Sequence, residues 1–130
     1  MSKSKKRGPM GRFAYDGLDR VMHERARLSI LTSLATNPPG VLFTDLKDLC
    51  QLTDGNLSRH LQVLQEAELV EIWKGFSGKR PQTLCRMTVD GRARFLAYLA
   101  VLEEVVQDGF EAPHATRGRQ RDLPEGWLPT

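Results

Sequence analysis

The sequence has no apolar run approaching the ~20 residues that a membrane-spanning helix needs. Its start is charged and lacks the apolar core of a signal peptide, so a cytoplasmic protein is expected. Cysteine is scarce: Cys50 and Cys85 are too few and too far apart for a disulfide scaffold. Reduced thiols packed as small hydrophobic groups are the first reading of them, and a redox-sensing pair the second. With three histidines and no Cys-x-Cys or paired-His cluster, no metal-ligand spacing is present; Asp19 and His23, four apart, read as a polar helix face. A phosphate-binding loop is missing too. Gly75–Arg80 contains Gly-Lys, but the spacing is short and Arg80 stands where Ser or Thr is needed. Ser58 and His60, two apart on a helix, point about 160° from each other, so no nucleophile and base can meet there. No catalytic residue, metal or cofactor is assigned, and an enzyme is not expected.

What is present is 130 residues, 40% hydrophobic and 27% charged, enough for one domain with tails. The net charge of +3 is unevenly spread. Met1–Arg12 holds Lys3, Lys5, Lys6, Arg7 and Arg12 without an acid, so the remaining residues carry −2. Residues 1–15 read as a flexible basic arm, suited either to sequence-independent attraction for nucleic acid or to solubility alone. Residues 16–107 read as the folded domain and 108–130, rich in Gly, Pro, Arg and Glu, as a mobile tail. Within that tail Leu123–Pro129 offers Trp127 and two leucines for docking on a domain, or ends unstructured.

The chain is organised around one short helix. Thr53 suits an N-cap, Asp54 places negative charge at the positive helix end, and Leu57, Leu61 and Leu64 recur on one face. Gly55, Arg59, Gln62 and Glu66 point the other way, flanked by Asn56, Ser58 and Val63. A helix with buried leucines behind Asn, Ser, Arg and Gln suits a DNA major groove, where Arg bonds guanine and Asn or Gln bonds adenine. His60 lies beside the apolar stripe, half buried. After the helix, Leu69–Lys74 alternates like a strand, Gly75–Pro81 reads as a turn and Gln82–Met87 as a returning strand. The hairpin carries Lys74, Lys79 and Arg80, with Arg86 on the way back; these suit phosphate contacts, or a solvated surface. Before it, Thr44 is placed to cap a helix over Asp45–Gln51 with Leu46, Leu49 and Cys50 inward, after a short strand at Val41–Phe43. Helix, tight turn, helix and hairpin is the order of a winged helix-turn-helix.

Leu57-Ser-Arg-His-Leu-Gln-Val-Leu-Gln-Glu-Ala-Glu-Leu-Val70 resembles the recognition-helix motif of the ArsR and MarR-like winged-helix bacterial transcriptional regulators. The resemblance extends over roughly Asp16–Val106, with Glu68 standing where the family usually has Gly. Leu18 to Leu31 is similar to the first helix of those regulators, which packs behind the DNA-reading unit and joins a dimer interface. The spacing predicts this helix from Asp16 to the Asn37-Pro-Pro-Gly40 stop. Thr88 caps a last helix in which Phe95, Leu96, Tyr98, Leu99, Val101, Leu102, Val105 and Val106 make more than one apolar stripe. That surplus predicts a homodimer through Leu18, Met22, Phe95, Tyr98, Leu99, Leu102 and Val106, or packing within the domain.

The expected fold is mainly α with a small β-hairpin wing (α+β): a winged helix-turn-helix with a long terminal dimerisation helix. The expected function is a sequence-specific transcriptional regulator, a repressor, acting as a homodimer on an inverted repeat in double-stranded DNA. Thr53, Gly55, Asn56, Ser58, Arg59 and Gln62 form its recognition surface, and Lys74, Lys79, Arg80 and Arg86 its wing contacts. The alternative is a protein-interaction module using Trp73, Phe76 and Trp127. The sequence names no effector; architecture would place one between the first and last helices.

Overall fold

The computed structural model describes residues 12–15, 18–111 and 125–129. Its elements run α1 (Arg25–Ala35), β1 (Val41–Leu42), α2 (Phe43–Cys50), α3 (Asp54–Glu66), β2 (Val70–Ser77), β3 (Arg80–Met87) and α4 (Val89–Phe110). The three strands form one antiparallel sheet in the order β1-β3-β2, with Val41 opposite Cys85 and Ile72 also opposite Cys85. Under it the apolar faces converge: Ile30, Leu31 and Leu34 from α1, Leu46 from α2, Leu57, Leu61 and Leu64 from α3, and Phe95 and Tyr98 from α4. The α+β winged-helix architecture read from the sequence is the one observed. None of the described helices is long and apolar enough to cross a membrane.

Several boundaries differ from expectation for local reasons. The first helix starts at Arg25, not Asp16, because Glu24 is extended and its carboxylate accepts the amide of Arg27 at 3.0 Å. That bond holds the Glu24 carboxyl below its usual range. Ahead of it lies an isolated turn, in which the Asp19 carbonyl accepts from Met22 and His23. One such turn sets Leu18, Val21 and Met22 at helical spacing without a helix. For α2 the cap is Leu42, with no side-chain bond, and Thr44 sits inside the first turn. Leu46 is the buried residue of this eight-residue helix, whereas Leu49 is 61% exposed, against the inward placement expected for it.

The wing strands are longer than the alternation suggested. Gly75, Phe76 and Ser77 belong to β2, Arg80 and Pro81 to β3, and the loop shrinks to Gly78-Lys79. Gly78 takes φ +66°, the left-handed start that a tight two-residue hairpin demands.

At the termini, Arg12–Tyr15 joins the domain where a mobile arm was expected. The Tyr15 hydroxyl donates to Asp108 at 2.6 Å and Arg12 lies 3.2 Å from the same carboxylate. The Asp108 bond raises the phenol's pKa above its usual value. Correspondingly, α4 runs past 107 to Phe110. Trp127, for which docking on a domain and an unstructured end were both open, is 65% exposed. The expectations for Lys3, Lys5, Lys6 and Arg7 and for residues 112–124 lie outside the described residues.

Glu68 takes φ +63°. Its amide bonds the Gln65 carbonyl and the Leu69 amide bonds the Leu64 carbonyl, both at 2.9 Å. These two bonds form a Schellman end to α3, with Leu64 and Leu69 buried together. A side chain in that region costs about 1 kcal/mol, so Glu68→Gly should raise stability by about that much in a urea titration. An unchanged or lower midpoint would count against the left-handed assignment.

Both cysteines are free; Cys50 is half buried, with its sulfur 3.7 Å from the Ser33 hydroxyl. Burial pushes the Cys85 thiol up to about 11, the nearby Lys74 charge opposing it weakly. At pH 8 Cys85 should therefore resist alkylation in the native protein and react on unfolding, which mass spectrometry after a timed iodoacetamide pulse would show. The unfolded thiol titrates near 9, below the folded value of about 11. This site's contribution to stability is therefore complete below pH 9 and is lost as pH rises towards 11.

Candidate nucleic-acid interface

The unit that presents α3 is fixed at both ends. α2 closes on Gln51, held at φ +54°, with the Leu52 amide returning to the Lys47 carbonyl at 3.1 Å. Two residues on, the Thr53 hydroxyl accepts the Asn56 amide at 3.1 Å and starts α3. Across this turn Lys47 Nζ meets Asp54 at 3.0 Å, tying the two helices together. The bond to Asp54 pushes the Lys47 ammonium pKa up.

With Leu57, Leu61 and Leu64 buried, Gly55, Asn56, Ser58, Arg59 and Gln62 all lie on the exposed face, as the spacing predicted. The Arg59 guanidinium donates to the Asn56 side-chain carbonyl at 2.7 Å, and Gln62 reaches Glu66 at 3.4 Å. A Cβ on Gly55 would meet nothing within 4 Å. Packing therefore gives no reason for a residue that costs a helix ~1 kcal/mol relative to Ala. Its value is a low surface at the first turn, where a ligand can approach the backbone.

The sheet pleat decides which wing residues share that surface. Ile72, Lys74, Thr83 and Cys85 point towards α3; Glu71, Trp73, Leu84 and Arg86, one step out of phase, point away. A cleft of about 350 Å³ lies between α3 and the wing, lined by Ser58, Gln62 and Gln65 on one side and Lys74 and Thr83 on the other. Its apolar lining is Phe43, Leu61 and Ile72. Lys74 Nζ donates to Thr83 at 3.5 Å. Lys79 and Arg80 stand exposed at the hairpin end, Arg80 bordering a hollow of about 390 Å³ beside Thr44 at the start of α2. Arg86 is not brought to this surface. It lies on the opposite face, 2.8 Å from Glu71 and with its guanidinium over the Trp73 ring at 5.6 Å.

Gln65 and Thr83 are lining residues the sequence reading passed over. Gln65 is three after Gln62 and seven after Ser58, a spacing that places it on their stripe. Ser58 and His60 diverge as expected: Ser58 faces the cleft, while His60 turns to α1, where Arg27 Nε donates to its Nδ1 at 3.3 Å. Asp19 and His23 do not form a pair; Asp19 lies 3.5 Å from Arg94, and His23 is hydrogen-bonded to the Tyr98 hydroxyl at 2.7 Å. Of the residues expected at a dimer contact, Met22, Phe95 and Tyr98 are buried in this domain's own core, with Leu18 and Leu102 packed against it. Leu99 and Val106 remain exposed.

Comparison with known proteins agrees with this geometry. A protein of Methanocaldococcus jannaschii with no characterised function is 40% identical over 57 residues, 44% of this chain and 62% of that protein. The match thus spans less than two thirds of that relative's length. The structure of a transcriptional regulator homologue from Pyrococcus horikoshii OT3 superposes with TM-score 0.64 at 28% identity, covering 70% of this chain and 88% of that one. MepR of S. aureus, solved in complex with DNA, shares the fold with TM-score 0.61 at 17% identity, over 75% and 78% of the two chains. The family model described as Winged helix DNA-binding domain matches residues 26–106. Within that span lie the buried leucines of α3, the exposed polar face they support and the wing beside it, and the chain belongs to the winged helix DNA-binding domain family.

Proposed function

We propose that the protein is a sequence-specific transcriptional regulator that binds an inverted repeat in double-stranded DNA as a homodimer and represses by occupying it. The observation that carries this reading is the shared cleft: the exposed face of α3 and Lys74 of the wing border one concave surface. Asn56, Ser58, Arg59 and Gln62 read base edges, Gly55 admits close approach, and Lys74, Lys79 and Arg80 hold phosphates. The exposed apolar residues Leu96, Leu99 and Val106 of α4 support the dimer. A second reading, a protein-binding module, is favoured by the exposure of Trp73 and Phe76 on the wing.

Selecting duplexes from a randomised library separates the two. Enrichment of an inverted repeat with half-sites about one turn apart supports the regulator. Binding that enriches nothing and vanishes with salt leaves only electrostatics and favours the second reading. Lys79→Ala should weaken selected and random duplexes alike and reduce the slope of log K against log salt by about 1.

A further inference from the structure

The exposed face of α3 divides along its length by what its side chains have left to offer a base. On the wing side Ser58, Gln62 and Gln65 line the cleft. A hydroxyl and two carboxamides each carry both a donor and an acceptor. The bond that Gln62 makes, from Nε2 to Glu66 at 3.4 Å, spends an N–H, so its carbonyl oxygen stays available. At about 100° per residue, Asn56 and Arg59 stand on the side away from the wing, three apart and both exposed.

On that side the acceptor is spent. Arg59 Nη2 donates to the Asn56 side-chain oxygen at 2.7 Å, the short distance of a charge-assisted bond. A guanidinium has five N–H groups and no acceptor, and the Asn56 amide nitrogen adds two more N–H groups. The one acceptor of the pair therefore faces a cation. A second lone pair remains on that oxygen, but a base amino group brought to it would lie beside the guanidinium's own N–H groups, positive edge against positive edge. An unpaired Asn reads adenine by giving one bond and taking one. Held by Arg59, Asn56 is left to give.

We propose that Asn56 and Arg59 act as one donor unit and that the base edges beneath it present acceptors side by side: guanine N7 and O6 under each. The sequence offered Asn56 for adenine; the bond to Arg59 turns it to guanine, and adenine falls to Gln62 on the wing side, which keeps a donor and an acceptor. Three residues of helix rise about 4.5 Å, so at ~3.4 Å per base pair the two guanines lie one or two pairs apart. This rests on the base-reading assignment above and narrows it to a class of half-site.

The test is selection from a randomised duplex library by wild type and Asn56→Asp, followed by titration of the wild-type duplex with Asn56→Ala, Arg59→Ala and the double variant. Because both side chains are exposed, the variants should stay folded, which circular dichroism melts verify. Independent readers multiply their losses, so two singles that each raise Kd about 10-fold would give about 100-fold together; a unit should give about 10-fold to 30-fold. Asn56→Asp keeps an acceptor towards Arg59 and loses both N–H groups, so the position whose preference changes in its selection is the one Asn56 reads. A G·C pair there in the wild-type half-site, with losses that fall short of multiplying, is the expected result. An A·T pair there, no changed position, or losses that multiply overturns the donor unit and leaves base reading by α3 standing. A wild type that enriches no sequence overturns the base-reading assignment itself.

Discussion

Gly91→Ala should lower stability by about 2 to 3 kcal/mol, moving the thermal midpoint down by about 10 °C. In an ordinary helix the same change adds up to ~1 kcal/mol. Here the first turn of α4 lies against the end of α3, and a Cβ on Gly91 would collide with the Leu69 carbonyl oxygen. That oxygen accepts the Thr88 amide at 3.0 Å, so it cannot retreat without disturbing the residue that caps α4. The comparison is built into the same helix, because Gly109 has nothing within 4 Å of an added Cβ. Gly109→Ala should be neutral or stabilise by up to about 1 kcal/mol. Chemical denaturation of the two variants beside wild type decides it; equal midpoints for both would remove the close approach.

Arg59→Ala should cost about 1 to 3 kcal/mol on the selected duplex, roughly 5-fold to 150-fold in Kd, and little on random DNA. In the free protein one guanidinium nitrogen is spent on Asn56, which holds the side chain along the helix face. The remaining donors suffice for the paired acceptors of a guanine edge. Arg59→Lys keeps the charge and loses the fork, so it should retain affinity for random DNA while losing preference among sequences. Because Arg59 is exposed, neither variant should move the unfolding midpoint by more than about 0.5 kcal/mol. Equal losses on selected and random duplexes would falsify the assignment of this face to base reading.

Helix α3 was legible because everything that makes it is local: a capping hydroxyl at Thr53, three leucines at helical spacing and a polar remainder. What depended on distant contacts was not. The turn at Leu18–Glu24 imitates a helix in spacing, and only the extended Glu24 cap reveals the break. Pro81 reads as a strand breaker, yet it sits in β3 opposite Phe76. Ser77 and Arg80 close the two-residue loop as the bonded pair, so the next pair is non-bonded and the missing N–H of Pro81 points away from β2. On that side β1 pairs only with Leu84 and Cys85 and does not reach it. Arg86 was legible as a cation near the wing, but its side of the sheet follows from its register with Glu71. Which stripe of α4 faces inward was likewise undecided by the sequence, since it depends on Met22 arriving from a turn to pack in the same core.

Thr88 joins three elements at one atom. Its hydroxyl donates to the Glu68 carbonyl at 2.8 Å and accepts the Gly91 amide at 2.7 Å, so the end of α3, the wing's return and the start of α4 meet without a hinge. In a dimer joined along α4, such a stiff corner sets the distance and rotation between the two reading heads like a fixed caliper. One added base pair between half-sites shifts the second by ~3.4 Å and turns it by about 35°. A protein with a flexible corner would absorb that by swinging its heads; this one would have to break the Thr88 joint or bend the DNA.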